Sequence, residues 1–432
     1  MWRDHLAELR RAAADAGLEP RPTEFIEVPA DELYALAAMR VPGMYHHWSF
    51  GRNYEVERTR HDRGRGTVYE LVCNLDPARA YLLDQNSEAE HVFVAAHVLG
   101  HVDLFGRNCF CRQQRLDMDR VLKAARTRFA EYEREHGAAA VEAVLDAAHA
   151  VMWHSTPVTL AGPRGIPDLP PDPYAGLFGP AEDADRDRAR YREDRMRYRR
   201  GIGERDMLRF LIAQAALDPW QADVLGIVRE VALYLAPQAR TKILHEGWAS
   251  FWHRRLQRAI RAYPDSDVQD ARLHAAVVGE AAGGRNPYWL GLTLLEHLHA
   301  GGTDLLRLGC EESDRSLLER IDERVVAAEP ALQRLAESLA ARAAAEPGPS
   351  RRRAPVPPWM RLRQAFVETL PALPEVEVAV REWDGRRLVL EAGVAVDEAY
   401  ARRVLTGLAT LWSGQVLLVT PAQELASARA AG

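Results

Sequence analysis

Residues 78–105 read ARAYLLDQNSEAEHVFVAAHVLGHVDLF, and the later part of this stretch is strongly apolar with helical spacing. Asp76-Pro77 stands before it, placed to cap it. Upstream, TVYELVCNLD (67–76) alternates polar and apolar residues and is rich in β-branched side chains, the pattern of a strand. Further upstream, MYHHWSFGRNYE (44–55) is aromatic and irregular, and Val41-Pro42-Gly43 separates it from residues 1–40. Those forty read as helices, with Leu6, Leu9 and Leu18 on one side and Leu33, Leu36 and Ala37 at helical spacing. Downstream, residues 117–150 continue as helix into LDAAHAVMWH.

The rest of the chain repeats the helical theme. MLRFLIAQAALDPWQADVLGIVREVALYL and TKILHEGWASFWHRRLQRAIRAY are long apolar-periodic stretches, and helices resume after the turn-rich GGRNPYWLG (283–291) to about residue 345. The sequence therefore predicts a mainly α-helical core domain over 1–345 with a minor β element. Residues 156–200 form a proline-, glycine- and arginine-rich insertion within it. EPGPSRRRAPVPP (346–358) has the composition of a linker. Beyond it, residues 359–432 predict a small C-terminal α+β domain: a helix, a hairpin around Asp384-Gly385, another helix and the strand QVLLVTP.

Bulk properties exclude several classes. At 432 residues with 47% hydrophobic and 27% charged content, the chain has the composition of an ordinary globular protein. A net charge of −6 argues against nucleic acid as the main partner, because phosphate neutralisation needs a basic face. The one basic run, EDADRDRARYREDRMRYRR (182–200), alternates in sign and reads as a solvated helix. No stretch approaches the roughly 18 apolar residues of a membrane span. The N-terminus lacks the apolar core of a secretory signal, so the expectation is a cytoplasmic protein. Four cysteines at this length make no disulfide framework, and Cys109 and Cys111 are too closely spaced for a zinc knuckle.

Two constellations carry chemistry. In His97-Val-Leu-Gly-His101 the imidazoles sit four residues apart, on one helical face, and can hold one cation. The spacing is that of zincin metalloproteases, with Val98 where those enzymes place their general-base glutamate. The second is His245-Glu-Gly-Trp-Ala-Ser-Phe-Trp-His253, where Glu246, Ser250 and His253 fall on one stripe and His245, Ala249 and Trp252 on another. Combined, the segments predict a site in which His97, His101 and Glu246 hold a divalent metal ion, zinc by preference. Val98 cannot act as base, so Glu70, His245 and His253 are the candidates. Lys242, which with Lys123 makes up all the lysines, lies one turn before Glu246, and it either places a compact ammonium near that carboxylate or is a chance retention with an exposed side chain. Glu230 is read as half of an ion pair with Arg229 or as a carboxylate orienting a ligand imidazole. His47 and Trp48 either line the pocket or pack on the core. Asn286-Pro-Tyr is read as shaping a turn.

HHWSFGRNYE, YELVCNLDPARAYLL, AAHVLGHVDLFGRN, LDAAHA, WQADVLGIVRE, TKILHEGWASFWH and RNPYWLG resemble, in order, the successive blocks of the SpoVR (stage V sporulation protein R-like) family over most of residues 1–295. The resemblance supports His97, His101, Glu246 and His253, and it includes Asp103 as the acidic residue that follows the histidine block. Position 245 departs from the family pattern, which has Asn there, and this tells against His245 as an essential ligand. The resemblance implies a bacterial cytosolic protein linked to spore cortex formation, and neighbouring partners in a serine protein kinase and a von Willebrand-type protein.

Two functions follow as expectations. One is a metal-dependent hydrolase of amide or peptide bonds in cell-wall-related material. The other is a non-enzymatic scaffold or regulator working with the kinase, its histidines structural. An open, water-accessible coordination position separates them.

Overall fold

In the computed structural model the stretch 78–105 divides at its middle. Ala78–Leu83 is a strand, and the helix begins only at Glu88. Ser87 starts it with a reciprocal cap: its Oγ accepts the Glu90 amide at 3.3 Å, and the Glu90 carboxylate accepts the Ser87 amide at 2.7 Å. The structure describes residues 1–62, 70–155, 203–260, 266–279, 286–345, 356–369, 378–394 and 396–427. The 156–200 insertion and most of the 346–358 linker lie outside them.

The described chain is mainly helical with two small sheets, as the sequence predicts. It forms two units, Met1–Lys123 with Pro237–Pro371, and Ala124–Ala236 with Ala372–Gly432. These units interleave along the sequence. The linear division at 346–358 concerns which stretches fold alone, and it stands as a proposal for limited proteolysis.

The first unit runs α1 (Leu6–Asp15), β1 (Thr23–Val28), α2 (Ala30–Met39), α3 (Trp48–Asp62), β2 (Glu70–Cys73), β3 (Ala78–Leu83) and α4 (Glu88–Arg107). After the chain returns come α5 (Lys242–Ile260), α6 (Ser266–Val277) and α7 (Pro287–Ala300), followed by three short helices and then by Pro330–Ala345 and Pro358–Thr369. Residues 1–40 thus hold a strand that the helical reading missed. Thr23–Val28 exposes and buries residues in near alternation, and it pairs in parallel with β3. Strand β2 pairs antiparallel on the other side of β3, giving the order β1-β3-β2. The aromatic segment expected to be irregular is helical from Trp48.

Helix α4 is buried from His91 to Phe105 on every face, the condition of a helix at the centre of a core. Helix α5 packs on it, and α7 packs on α5, both through glycines. A Cβ at Gly100 would sit 2.8 Å from Ala249 Cα, and a Cβ at Gly247 would overlap the backbone of Gly291. These glycines let α5 approach α4 on one side and α7 on the other. Trp248 fills the space beside them, fully buried, with its indole donating to Asp103 Oδ2 at 3.1 Å. Burying such a ring contributes roughly 1.5–3 kcal/mol. Asp314 starts α5 by accepting the Ile243 and Leu244 amides at 3.0 and 2.9 Å.

In the second unit, helices Ala138–Val151 and Glu398–Trp412 pack through Gly407, whose Cβ would meet Ala147 O at 2.8 Å. The hairpin is present as β4 (Val378–Trp383) and β5 (Arg387–Ala392), its turn held by Asp384 accepting two amides at 2.7 Å. Strand β6 (Gln415–Val419) adds parallel to β5, and a short β7 (Glu424–Ala426) adds to β6.

Candidate metal centre

Helices α4 and α5 run antiparallel, and their contact is made by rows of residues four apart. His97, Gly100 and His101 on α4 face His253, Ala249 and His245 on α5. The 245-249-253 row therefore meets α4. Helical periodicity alone puts His253 on a different stripe, with Glu246 and Ser250. Glu246 stands beside this row and reaches the ligand-facing edges of both α4 histidines.

Its Oε2 lies 3.7 Å from His97 Nε2 and 3.5 Å from His101 Nε2. From the opposite element, the edge strand β2, Glu70 Oε1 comes within 3.9 Å of His97 Nε2. One ligand atom each from Glu70, His97 and His101 falls within 4.8 Å of the others, a group able to hold a metal ion. His97 Nε2 and Glu246 Oε2 are buried and have no hydrogen-bond partner among the described residues. Two unpartnered polar atoms facing one point are costly unless something bridges them. Two imidazoles and one or two carboxylates form a donor set that suits zinc, and the residues fit the ion. The carboxylate side chains are 15–16% exposed, so the cluster opens on their side.

Electrostatics separates the two glutamates. Burial pushes Glu70 up to about 7, with the charge of Glu246 adding and His101 opposing. Burial also acts on Glu246, but the His101 and His97 imidazoles that face it outweigh this and hold its carboxyl well below the usual range. Burial lowers His97 to about 4 and keeps it neutral, the form that ligates. Tyr288, on the first turn of α7, stacks over His97 at 5.8 Å between ring centroids. The charge of Glu246, then burial, then the charge of Glu70 raise its phenol well above the ordinary value. It remains a hydrogen-bond donor.

The other predicted residues go to different places. His245 and His253 stand behind the two α4 histidines: His253 Nδ1 is 2.9 Å from His97 Nδ1, and His245 Nδ1 is 3.3 Å from His101 Nδ1. Asp103 is buried away from the cluster, binding Arg107, the Glu19 amide and Trp248. Lys242 is exposed on the first turn of α5, so the solvated ammonium stands and the pocket cation does not. Glu230 belongs to the second unit, 3.7 Å from Arg229. His47 Nδ1 contacts Ser49 Oγ at 2.6 Å, and Trp48 is 52% exposed. Sequence reasoning missed Tyr288 and His274. Tyr288 follows a proline that was read only as a turn residue, and His274 shares no spacing with the other histidines.

The family model described as "SpoVR like protein" matches residues 3–313. "Uncharacterized protein YcgB" of Escherichia coli (strain K12) is 27% identical over 336 residues, covering 68% of this chain and 62% of the relative. The chain thus spans a little under two thirds of the length of that curated relative. No solved structure matches. Among the described residues, no helix is long and apolar enough to cross a membrane.

Proposed function

The chain belongs to the SpoVR-like family, and from that premise we propose that its buried cluster is the centre of a zinc-dependent hydrolase of amide or peptide bonds. Its substrates in this reading are cell-wall precursors or recycled fragments in the cytoplasm, in keeping with the sporulation link that the family name carries. The kinase and the von Willebrand-type protein enter as proposed partners. One observation carries the reading: His97 Nε2 and Glu246 Oε2 converge, buried and unpartnered, with His101 and Glu70 within reach.

His97, His101 and Glu246 would hold the ion. When bound, it supplies a Lewis acid for a carbonyl oxygen and acidifies water to a pKa near 7. The residues of the chain do the rest. The zincin glutamate is replaced by Val98, so the base must come from another element. Glu70 on β2 meets this need. Its carboxylate faces the ligand imidazoles from the open side, and near-neutral proton affinity suits it to take a proton from water and return it to the leaving amine. Tyr288 approaches from α7 with a phenol that keeps its proton, positioned to donate to the oxygen that gains charge as the carbonyl is attacked. A neutral His97 imidazole and an ionised Glu246 need no deprotonation before ligating.

Zinc-loaded protein incubated with peptidoglycan-derived peptides should release new amines, and the Glu70→Gln variant should not. Loaded protein that cleaves none of these amides, and none of a general peptide library, would remove the hydrolase reading.

A further inference from the structure

Each ligand histidine has a second histidine behind it, and the atoms in contact determine what these do. We propose that His253 and His245 are positioning residues that accept hydrogen bonds from the Nδ1–H groups of His97 and His101 and so aim their Nε2 atoms at the ion. Histidine here performs the task usually given to a carboxylate. This inference rests on the metal reading and assigns residues that it leaves unused.

The hydrogen-bond order follows from valence. Nδ1 of His97 meets Nδ1 of His253 at 2.9 Å, so one nitrogen must donate and the other accept. If His97 ligates through Nε2, its proton sits on Nδ1, and His253 must accept there. His253 then carries its own proton on Nε2, which lies 2.9 Å from Nδ1 of His274 on α6. His274 accepts in turn, and it is only partly buried.

The second branch has the same direction. His101 donates to His245 Nδ1 at 3.3 Å, and His245 Nε2 faces Cys111 Sγ at 3.5 Å. Cys111 lies 3.8 Å from Thr241 Oγ1, which donates to the Pro237 carbonyl at 2.7 Å. Every member has one donor and one acceptor to offer, and each chain runs outward from the cluster without conflict. Cys111 becomes an acceptor for His245 in this order, which gives the buried thiol a place that neither a zinc knuckle nor a disulfide provides.

Charge explains the choice of imidazole. Glu70 and Glu246 already bring two carboxylates to a site that would hold one dication. A further carboxylate behind each histidine would leave uncompensated negative charge in the core. A neutral ring orients its neighbour without that cost, and such supports typically tune metal affinity about 10–100-fold.

Cobalt(II) is the probe, because it reports both affinity and ligand geometry through its visible absorption. In Asn the first polar atom stands where Nδ1 stands in histidine, while in Gln it stands near Nε2. The proposal predicts that His253→Ala weakens cobalt binding about 10–100-fold and alters the band. His253→Asn should restore affinity to within about 3-fold of the parent, and His253→Gln should not, given the Nδ1 contact. His245→Ala should weaken binding in the same way. If the alanine variants fail to fold, the Asn and Gln pair decides alone. Parent-like cobalt binding in folded His253→Ala, or equal losses in the Asn and Gln variants, overturns the assignment. Parent protein that binds no cobalt fails earlier, at the metal reading itself.

Discussion

His97 Nε2 and Glu246 Oε2 face each other at 3.7 Å inside the first unit, and neither has a hydrogen-bond partner among the described residues. The separation is too long for a hydrogen bond and suits two ligands of one ion. Without metal, the two imidazoles still favour the ionised Glu246, so in chelator Glu246→Gln is expected to be less stable than the parent by about 1 kcal/mol. With zinc at about 100 times its dissociation constant, the parent should gain about 2.7 kcal/mol, and the variant much less. Thermal melts with and without zinc check both signs.

Glu70 lies on a strand, apart from the helices that carry the imidazoles and Glu246. Its proposed role as base separates from ligation under substitution. Glu70→Gln is expected to keep zinc content near that of the parent while lowering turnover about 100-fold or more. Metal analysis beside a rate measurement distinguishes this from the case in which Glu70 is itself a required ligand, where both would fall.

The approach of α5 to α7 depends on Gly247 meeting Gly291. Gly247→Ala should destabilise the protein by about 1–3 kcal/mol through overpacking, and should also weaken metal binding because Glu246 is the adjacent residue. Gly226 has open space around its Cβ position, within a helix of the second unit. Gly226→Ala is expected to stabilise by about 0.5–1 kcal/mol from helix propensity alone. Denaturant titrations of the two variants should shift in opposite directions.

The second unit carries its own pH dependence. Burial lowers His154 to about 4, and its Nε2 lies 3.1 Å from the Tyr400 hydroxyl. Above pH 6.5 the ring is neutral in both folded and unfolded chains. As pH falls from 6.5 towards 4, the unfolded chain takes up a proton that the folded chain refuses, so stability is lost across that window, by up to about 3 kcal/mol. His154→Gln cannot titrate, and its melting temperature should fall less between pH 7 and pH 4.5 than that of the parent. An equal fall in both would remove His154 as the cause.

The helices and the common face of His97 and His101 were legible because they depend on local periodicity. His97 and His101 declare their shared face four residues apart, and Glu246 sits in an aromatic, apolar helix where a carboxylate needs a reason. Strand β1 was not legible, because six residues of alternating burial within a helical region acquire their meaning only from pairing with β3, about fifty residues later. The parts of His245 and His253 depended on helix packing. Both fall on faces compatible with ligation, and only the approach of Ala249 to Gly100 determines that they back the α4 histidines. Tyr288 was hidden for a similar reason, since Asn286 and Pro287 do shape a helix start there, and nothing in the sequence tells where that turn points.

The most direct measurement is metal content. Purified protein exposed to zinc and freed of excess should carry close to one equivalent per chain by elemental analysis, and the His97→Ala, His101→Ala double variant should carry almost none while keeping its helical circular dichroism. A parent that retains no metal, or a folded double variant that retains as much as the parent, would contradict the account.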